Sequence, residues 1–210
     1  MTKSARPDNF EMASNLRVVN DAEASRIISH LRNESLKPAV VRRLARELTT
    51  ALTPYALKPP AAGEQIAVIV ILRSGLAMAD PFLAALPDDV DVVVHHLGLF
   101  REKESLRPVE YYNKLPLKSP RIKRAYILDP LVATGGTAKA AINILKDWGV
   151  NHITLLSLLG SAQGLANVAG AWPEGTEIVV GATDEALDKK GYVKPGLGDI
   201  GDRLFGTALE

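Results

Sequence analysis

Apolar residues recur at two different spacings along the chain, and the spacing changes near residue 54. Before that point, residues 22–35 place Ile27, Ile28 and Leu31 on one helical face. A second helix is predicted from Pro38, since proline is favourable in a first turn and apolar residues follow at 40, 41, 44, 48 and 52. Residues 54–63 hold three prolines and a glycine, which predicts a linker.

After the linker, short apolar runs alternate with stretches of helical spacing. Strands are predicted at 66–72, 91–99, 125–128, 153–159 and 177–182, and helices at 76–86, 138–148 and 162–171. Residues 101–118 are polar and show no clean periodicity. The alternation predicts an α/β fold, with a mostly parallel sheet flanked by helices on both faces. Ligands of such sheets bind beyond the carboxyl ends of the strands.

Composition adds few constraints beyond this. The 210 residues are 47% hydrophobic and 23% charged, which suits a single domain over 1–210 with polar, flexible residues at 1–15. A net charge of +1 gives no reason to expect nucleic acid or an anionic membrane as a partner. The longest apolar run, residues 66–72, is too short to span a bilayer, and the N-terminus shows no secretory signal. We therefore expect a cytoplasmic enzyme.

The stretch with the clearest chemical character is residues 129–137, which we call the phosphate loop. An apolar strand stops at Asp129 and Pro130, and Leu131 and Val132 lead into Ala133-Thr134-Gly135-Gly136-Thr137 before a helix. Main-chain N–H groups at a helix N-terminus, with threonine hydroxyls, favour an anion there. An acid just before the loop suits a ribose diol or Mg²⁺. The pattern predicts a sugar-phosphate site, although an ordinary turn of small residues is the plainer alternative.

Two arginines follow other predicted strands. Arg73 comes after the 66–72 strand and Arg101 after the 91–99 strand. Their positions would bring them to the same edge of the sheet as Asp129, where a guanidinium can pair two phosphate oxygens at once. The alternative for each is a solvated surface charge.

The C-terminal segment is rich in glycine. Gly196, Gly198 and Gly201 match a dinucleotide-binding spacing, but no strand precedes them and too few residues follow for a βαβ unit. A glycine-rich segment without regular structure exposes main-chain N–H and C=O groups. Such groups can read a planar base with alternating donors and acceptors.

Four ordered segments resemble the uracil phosphoribosyltransferases, of the type I phosphoribosyltransferase fold. They are ILRSGLAM (71–78), FREKESLRPVEYYNKLP (100–116), DPLVATGGT (129–137) and GYVKPGLGDIGD (191–202). The similarity runs from about residue 66 to 207. Many members carry a longer β-arm where this chain has only residues 54–63.

The resemblance implies that the chain transfers a phosphoribosyl group from PRPP to uracil, giving UMP and pyrophosphate, with Mg²⁺ as cofactor. Asp129 would face the ribose of PRPP, Ala133 to Thr137 would hold its 5-phosphate, and Arg73 and Arg101 would hold its pyrophosphate, with the Arg73–Ser74 peptide in the cis form. Pro130, Leu131 and Val132 would also bind PRPP. Residues 101–118 would be a mobile flap. Residues 184–207, which we call the hood, would bind uracil through Tyr192, Val193, Gly198, Asp199 and Ile200. Asp199 would also help bind PRPP or its Mg²⁺, which makes Asp129, Asp199, Arg73 and Arg101 the catalytic candidates.

Several further expectations rest on this resemblance. A homodimer or homotetramer and GTP as an effector are both implied. The alternatives are a regulator of the same fold that binds PRPP or a nucleotide without turnover, and a transferase for another base such as a purine. His95 and His96 lie on opposite faces of a strand and are interpreted as structural. A solvated loop is predicted for Asp184, Glu185, Asp188, Lys189 and Lys190.

Overall fold

A computed structural model describes residues 13–102 and 108–207, with Arg101 described by its main chain. In that part of the chain, no helix is both long and apolar enough to cross a membrane. The described residues form strands that are numbered in chain order: β1 Leu16–Val18, β2 Gln65–Leu72, β3 Val92–Arg101, β4 Pro108–Asn113, β5 Ile122–Leu128, β6 Leu131–Val132, β7 His152–Ser157, β8 Leu159–Ser161, β9 Thr176–Val180, β10 Thr183–Asp184, β11 Ala186–Leu187 and β12 Val193–Lys194. The helices of the same residues are α1 Ala22–Leu31, α2 Pro38–Ala56, α3 Leu76–Leu83, α4 Gly136–Trp148, α5 Ala162–Ala169 and α6 Ile200–Phe205.

Seven of the strands form a central sheet in the order β1-β9-β7-β5-β2-β3-β4. All neighbouring pairs are parallel except β3 with β4, which form an antiparallel hairpin. Beyond its carboxyl edge, β6, β8 and β10 form a small parallel sheet, and β11 and β12 form an antiparallel pair. The predicted α/β class is confirmed.

Strand β2 shows why the sheet is covered on both faces. Val68 and Val70 point into one hydrophobic core with helices α1, α2 and α3, whereas Ile69 and Ile71 point into a second core with α4 and α5. These residues are almost completely buried. Because successive side chains of a strand point to opposite faces, an unbroken apolar run is what a doubly covered strand requires.

A capping group explains the start of α1, and packing explains the end of α2. The Asp21 carboxylate accepts a hydrogen bond from the Ala24 N–H at 2.8 Å and begins α1. The predicted linker at 54 begins too early, because α2 continues through Pro54 to Ala56. Leu52, Thr53 and Ala56 are buried, and this packing outweighs the loss of the helical hydrogen bond that Pro54, which has no N–H, cannot make.

Two edge strands of the sheet were not predicted. Strand β1 is three residues long, and every residue of β4 is exposed, so neither carries an alternation of apolar and polar positions. Strand β4 forms because it returns along β3 and pairs with it. The stretch 101–118, predicted without regular structure, therefore contains a hairpin strand, and its residues 103–107 lie outside the described part of the chain.

Candidate active site

A cleft of about 310 Å³ opens at the carboxyl edge of the sheet. It brings together the turn after β2, the end of β5, the phosphate loop and part of the hood. The residues that line it are 71–74, 99–100, 129, 131–138, 191–192 and 198–201. Most of the candidates from the sequence thus lie on one cleft; Pro130 and Val193 are not among the lining residues.

Asp129 lies buried at the end of β5, with 6% of its surface exposed. Its N–H donates to the carbonyl of Leu156 on β7 at 3.3 Å, which continues the sheet pairing past the strand end. Burial raises the pKa of the Asp129 carboxyl to about 7, and the Leu131 N–H, which donates to that carboxyl, offsets part of the rise. The residue next to it, Pro130, accepts from the N–H groups of Leu158 and Leu159 at 3.2 Å each. The acid is therefore held firmly, and its burial disfavours the ionised form.

The phosphate loop is braced from behind by α5. The Ser161 hydroxyl donates to the carbonyl of Ala133 at 2.5 Å, and the Asn167 amide donates to the carbonyl of Thr134 at 3.0 Å. Two loop carbonyls are thus occupied on the side away from the cleft. The first turn of α4 begins at Gly136 and presents its N-terminal N–H groups and dipole at the cleft.

Gly135 allows the close approach of the loop to α5. Its φ of 82° is in the left-handed region, and a Cβ built there would lie 2.5 Å from the carbonyl oxygen of Gly164. Gly164 in turn lies against the Ala133 carbonyl, so that a Cβ there would overlap it. Loop and helix fit together only because both positions are glycine.

Arg73 connects the β2 turn to the hood. Its guanidinium donates to the Asp202 carboxylate at 3.1 Å and to the Thr207 hydroxyl at 3.3 Å, and lies 5.7 Å from the centre of the Phe205 ring. The cis peptide precedes Arg73, at Leu72–Arg73, instead of following it as expected. A second cis peptide joins Lys194 and Pro195 in the hood. Gly75 ends the turn, where a Cβ would lie 2.5 Å from the Leu128 carbonyl.

Arg101 is the last residue of β3, where its main chain pairs with Pro108 of β4. Its side chain lies outside the described part of the structure, as do residues 103–107. The hairpin itself is described on either side of that gap, and Leu99 and Phe100 of β3 line the cleft.

The hood contains more regular structure than the glycine content predicted. Asp199 begins the short helix α6, and its carboxylate accepts from the Asp202 N–H at 3.0 Å. The Tyr192 hydroxyl donates to the other oxygen of Asp199 at 3.4 Å. The Val193 side chain is buried in the core beneath the hood. Of the residues predicted to bind uracil, Tyr192, Gly198, Asp199 and Ile200 line the cleft, together with Gly191 and Gly201.

The prediction of a solvated loop is wrong for Asp184. This residue is 6% exposed, forms a two-point ion pair with Arg32 at 2.7 Å, and accepts from the Gly196 N–H at 2.8 Å. A second arginine, Arg203, donates to the carbonyls of Leu31, Leu197 and Asn33. Neither partnership could be read from the sequence, because the residues that meet are far apart in the chain.

Metal-binding chemistry is limited in the described ranges. Among residues 13–102 and 108–207, no group of three or more histidine, aspartate or glutamate side chains could hold an ion. The ring of His95 packs edge-on against the ring of Trp148, with 5.6 Å between the two ring centres. Burial lowers the pKa of His95, and the neighbouring His96 lowers it further. The two carboxylates that line the cleft are those of Asp129 and Asp199.

Asp129, the phosphate loop and the hood lie on one cleft at the carboxyl edge of a mostly parallel sheet, which is the arrangement that the resemblance to the phosphoribosyltransferases implies. The chain belongs to the uracil phosphoribosyltransferase family, whose sequence model matches residues 58–207.

Two relatives with curated names are similar to this chain over most of their length. A Thermus thermophilus protein named uracil phosphoribosyltransferase is 40% identical over 203 residues, which cover 86% of this chain and 93% of that protein. The urg2 protein of Schizosaccharomyces pombe, whose name assigns it provisionally to the same activity, is 44% identical over 200 residues, covering 94% and 93%. The solved structure of the AQ2163 protein from Aquifex aeolicus superposes with a TM-score of 0.83 at 29% identity, covering 93% of this chain and 100% of that one.

Proposed function

We propose that this protein transfers the 5-phosphoribosyl group of PRPP to uracil, giving UMP and pyrophosphate. The observation that carries the proposal is the single cleft on which the phosphate loop and the main chain of Gly198 to Ile200 lie together. A sugar phosphate bound by the loop would place its anomeric carbon toward the hood. A base bound by the hood would then be next to that carbon.

In this proposal each part of the cleft holds one part of PRPP. The phosphate loop binds the 5-phosphate through the N-terminus of α4 and the hydroxyls of Thr134 and Thr137. Asp129 accepts hydrogen bonds from the ribose hydroxyls. Arg73 and Arg101 bind the pyrophosphate, and Arg73 exchanges its contact with Asp202 for this ligand.

The chemistry demands positioning and charge stabilisation more than a protein nucleophile. The bond from the anomeric carbon to pyrophosphate breaks while the bond to the uracil nitrogen forms. Positive charge develops on the ribose ring and negative charge on the leaving group. Arginines bound to the pyrophosphate would stabilise the negative charge, and holding both substrates in place would remove much of the entropic barrier.

Water must be kept from the reacting carbon, because it would hydrolyse PRPP. We propose that residues 101–118, which include β4, act as the flap over bound PRPP. Leu99 and Phe100 already line the cleft from this side.

Family enzymes typically use Mg²⁺ with PRPP, and the residues present fit that use. Mg²⁺ is commonly held by one or two carboxylates together with substrate phosphates, and the cleft offers Asp129 and Asp199. Asp199 is the residue we assign to the ion. When bound, the ion neutralises charge on the departing pyrophosphate.

Base selection follows from the fixed main chain of the hood. Uracil presents a carbonyl at position 4 and an N–H donor at position 3, and cytosine reverses both. In a site without water, the donors of cytosine would face main-chain donors and its acceptors would face main-chain acceptors. These groups would stay unpaired, which can give roughly 10⁴-fold discrimination between uracil and cytosine. Gly198, Asp199 and Ile200 are the residues we assign to this reading.

Assembly, regulation and location are part of the same proposal. A homodimer or homotetramer is supported by exposed apolar side chains on the hairpin, at Phe100, Val109, Tyr111 and Tyr112, and light scattering on the purified protein tests it. GTP as an effector rests on the resemblance alone, and a cytoplasmic location rests on the sequence features given above. Adding GTP to the assay below tests the first.

The decisive experiment is UMP formation from uracil, PRPP and Mg²⁺, with cytosine, hypoxanthine and orotate as alternative bases. Asp199→Asn is the informative variant, because asparagine keeps the cap of α6 while the charge is lost. We expect turnover with uracil alone and a large loss in the variant. Binding of PRPP without turnover of any base would contradict the proposal and indicate a regulator of the same fold.

A further inference from the structure

The C-terminal end of α1 and the hood are joined by an ion pair that does not reach the cleft. Arg32 follows the last residue of α1, and both terminal nitrogens of its guanidinium donate to the Asp184 carboxylate at 2.7 Å. The side chains are 29% and 6% exposed. Neither residue lines the cleft.

Both partners of this ion pair also hold the main chain of one hood residue, Gly196. The Gly196 N–H donates to the Asp184 carboxylate at 2.8 Å, and the Gly196 carbonyl accepts from Arg32 at 3.1 Å. The peptide groups on both sides of Gly196 are thus fixed in direction. Gly198, which lines the cleft, lies only two residues further along the chain.

The turn at Gly196 leaves no space for adjustment. Its φ is 60°, and a Cβ built on it would overlap the Val193 carbonyl. The next residue, Leu197, is buried, and its carbonyl accepts from Arg203. The main chain is therefore held at consecutive residues immediately before it enters the cleft.

The location of the ion pair is difficult to explain by stability alone. Burying a carboxylate and a guanidinium costs desolvation energy, and apolar residues of similar volume often stabilise as well or better. Burial opposes ionisation of Asp184, but hydrogen bonds from Arg32 and Gly196 and the charge of Arg32 outweigh it and lower its pKa. The pair therefore stays charged, and its hydrogen bonds fix the orientation of the groups that they join, which an apolar contact would not do.

We propose that Arg32 and Asp184 are positioning residues for base recognition: they set the orientation of the hood main chain that reads uracil, without touching the base. The inference rests on the proposed function of the hood. It predicts a loss that falls mainly on the uracil side of the reaction. The phosphate loop is braced by the side chains of Ser161 and Asn167. Asp184 lies beside Ser161 in the pairing of β10 with β8, but its carboxylate binds Arg32 and Gly196 and not the phosphate loop.

The test compares Asp184→Asn and Arg32→Lys with a matched control. Glu23→Gln removes the charge from another two-point arginine pair on the same helix, formed with Arg26 and fully exposed. For Asp184→Asn we expect KM for uracil to rise about 10- to 100-fold, since small misplacements of a binding group have effects of that order. KM for PRPP should stay within about twofold, and discrimination against cytosine should fall. Arg32→Lys keeps the charge but loses the planar fork, so we expect an intermediate effect.

Amide hydrogen exchange provides a readout that does not depend on turnover. In Asp184→Asn, exchange should accelerate over 193–198 and stay unchanged over 129–137, with a thermal unfolding curve that remains cooperative. Equal changes in KM for uracil and PRPP, or none in either, would overturn the inference. If the unaltered protein makes no UMP, the proposed function fails, and unchanged exchange over 193–198 would separately overturn the positioning role.

Discussion

The buried carboxyl of Asp129 should make the protein less stable as the pH rises. Its pKa is about 7 in the folded protein against an ordinary value of 3.8. The folded state therefore disfavours the ionised form, and the penalty grows from pH 3.8 upward until it is complete above about pH 7. A difference of about three pKa units corresponds to a loss of about 4 kcal/mol in the free energy of unfolding, and roughly 3 kcal/mol of this loss occurs between pH 5 and pH 8.

Asp129→Asn removes the titrating group with almost no change of shape. The amide oxygen can still accept from the Leu131 N–H, so the variant should escape the penalty. We expect it to be more stable than the unaltered protein at pH 8, with the advantage shrinking by about 3 kcal/mol on going to pH 5. It should nevertheless lose most of its turnover, because in our proposal the carboxylate binds the ribose.

The assay is urea unfolding at pH 5, 6, 7 and 8 for both proteins. The control is Asp88→Asn, which changes the same kind of group at an exposed position on the loop after α3. That control should track the unaltered protein within about 0.5 kcal/mol at every pH. A stability advantage of Asp129→Asn that does not depend on pH, or a loss of stability at pH 8, would refute the reasoning.

Two other substitutions test contacts around the cleft. Gly164→Ala should abolish PRPP binding as measured by calorimetry, because its methyl group would overlap the phosphate loop, whereas Gly170→Ala, where the nearest atom is 3.6 Å away, should bind PRPP normally. Normal binding in Gly164→Ala would show that the loop does not depend on α5. Asp202→Asn should free Arg73 from its ion pair and tighten pyrophosphate binding by up to about fivefold, as expected for a half-exposed pair. Weaker binding would mean that Asp202 aims Arg73 instead of competing for it.

The parts of the fold that could be predicted are those whose determinants lie close together in sequence. The strand at 66–72, buried on both faces, is predicted by its unbroken apolar run. The phosphate loop from Asp129 to Thr137 is predicted by its acid, glycines and threonines. The edge strands β1 and β4 carry no such signal, because pairing with a neighbour forms them.

The hood shows where sequence reasoning stops. A resemblance located the segment, but Asp184 among acidic and basic neighbours looked like a surface residue. Its burial depends on Arg32, whose position next to it is produced by the packing of α1 against the sheet. The helix α6 was missed for a similar reason, since six residues provide little periodicity and its cap, Asp199, also fits a ligand role.

The contacts between α1 and the hood also imply an order of assembly on the ribosome. Arg32 and Asp184 are 152 residues apart, and Arg203 reaches back 172 residues to Leu31. The phosphate loop and its brace are complete once residue 169 has emerged, whereas Gly196 can be clamped only after the hood has been synthesised. Because both contacts need residues near the C-terminus, the hood should be the last part of the nascent chain to reach its final arrangement.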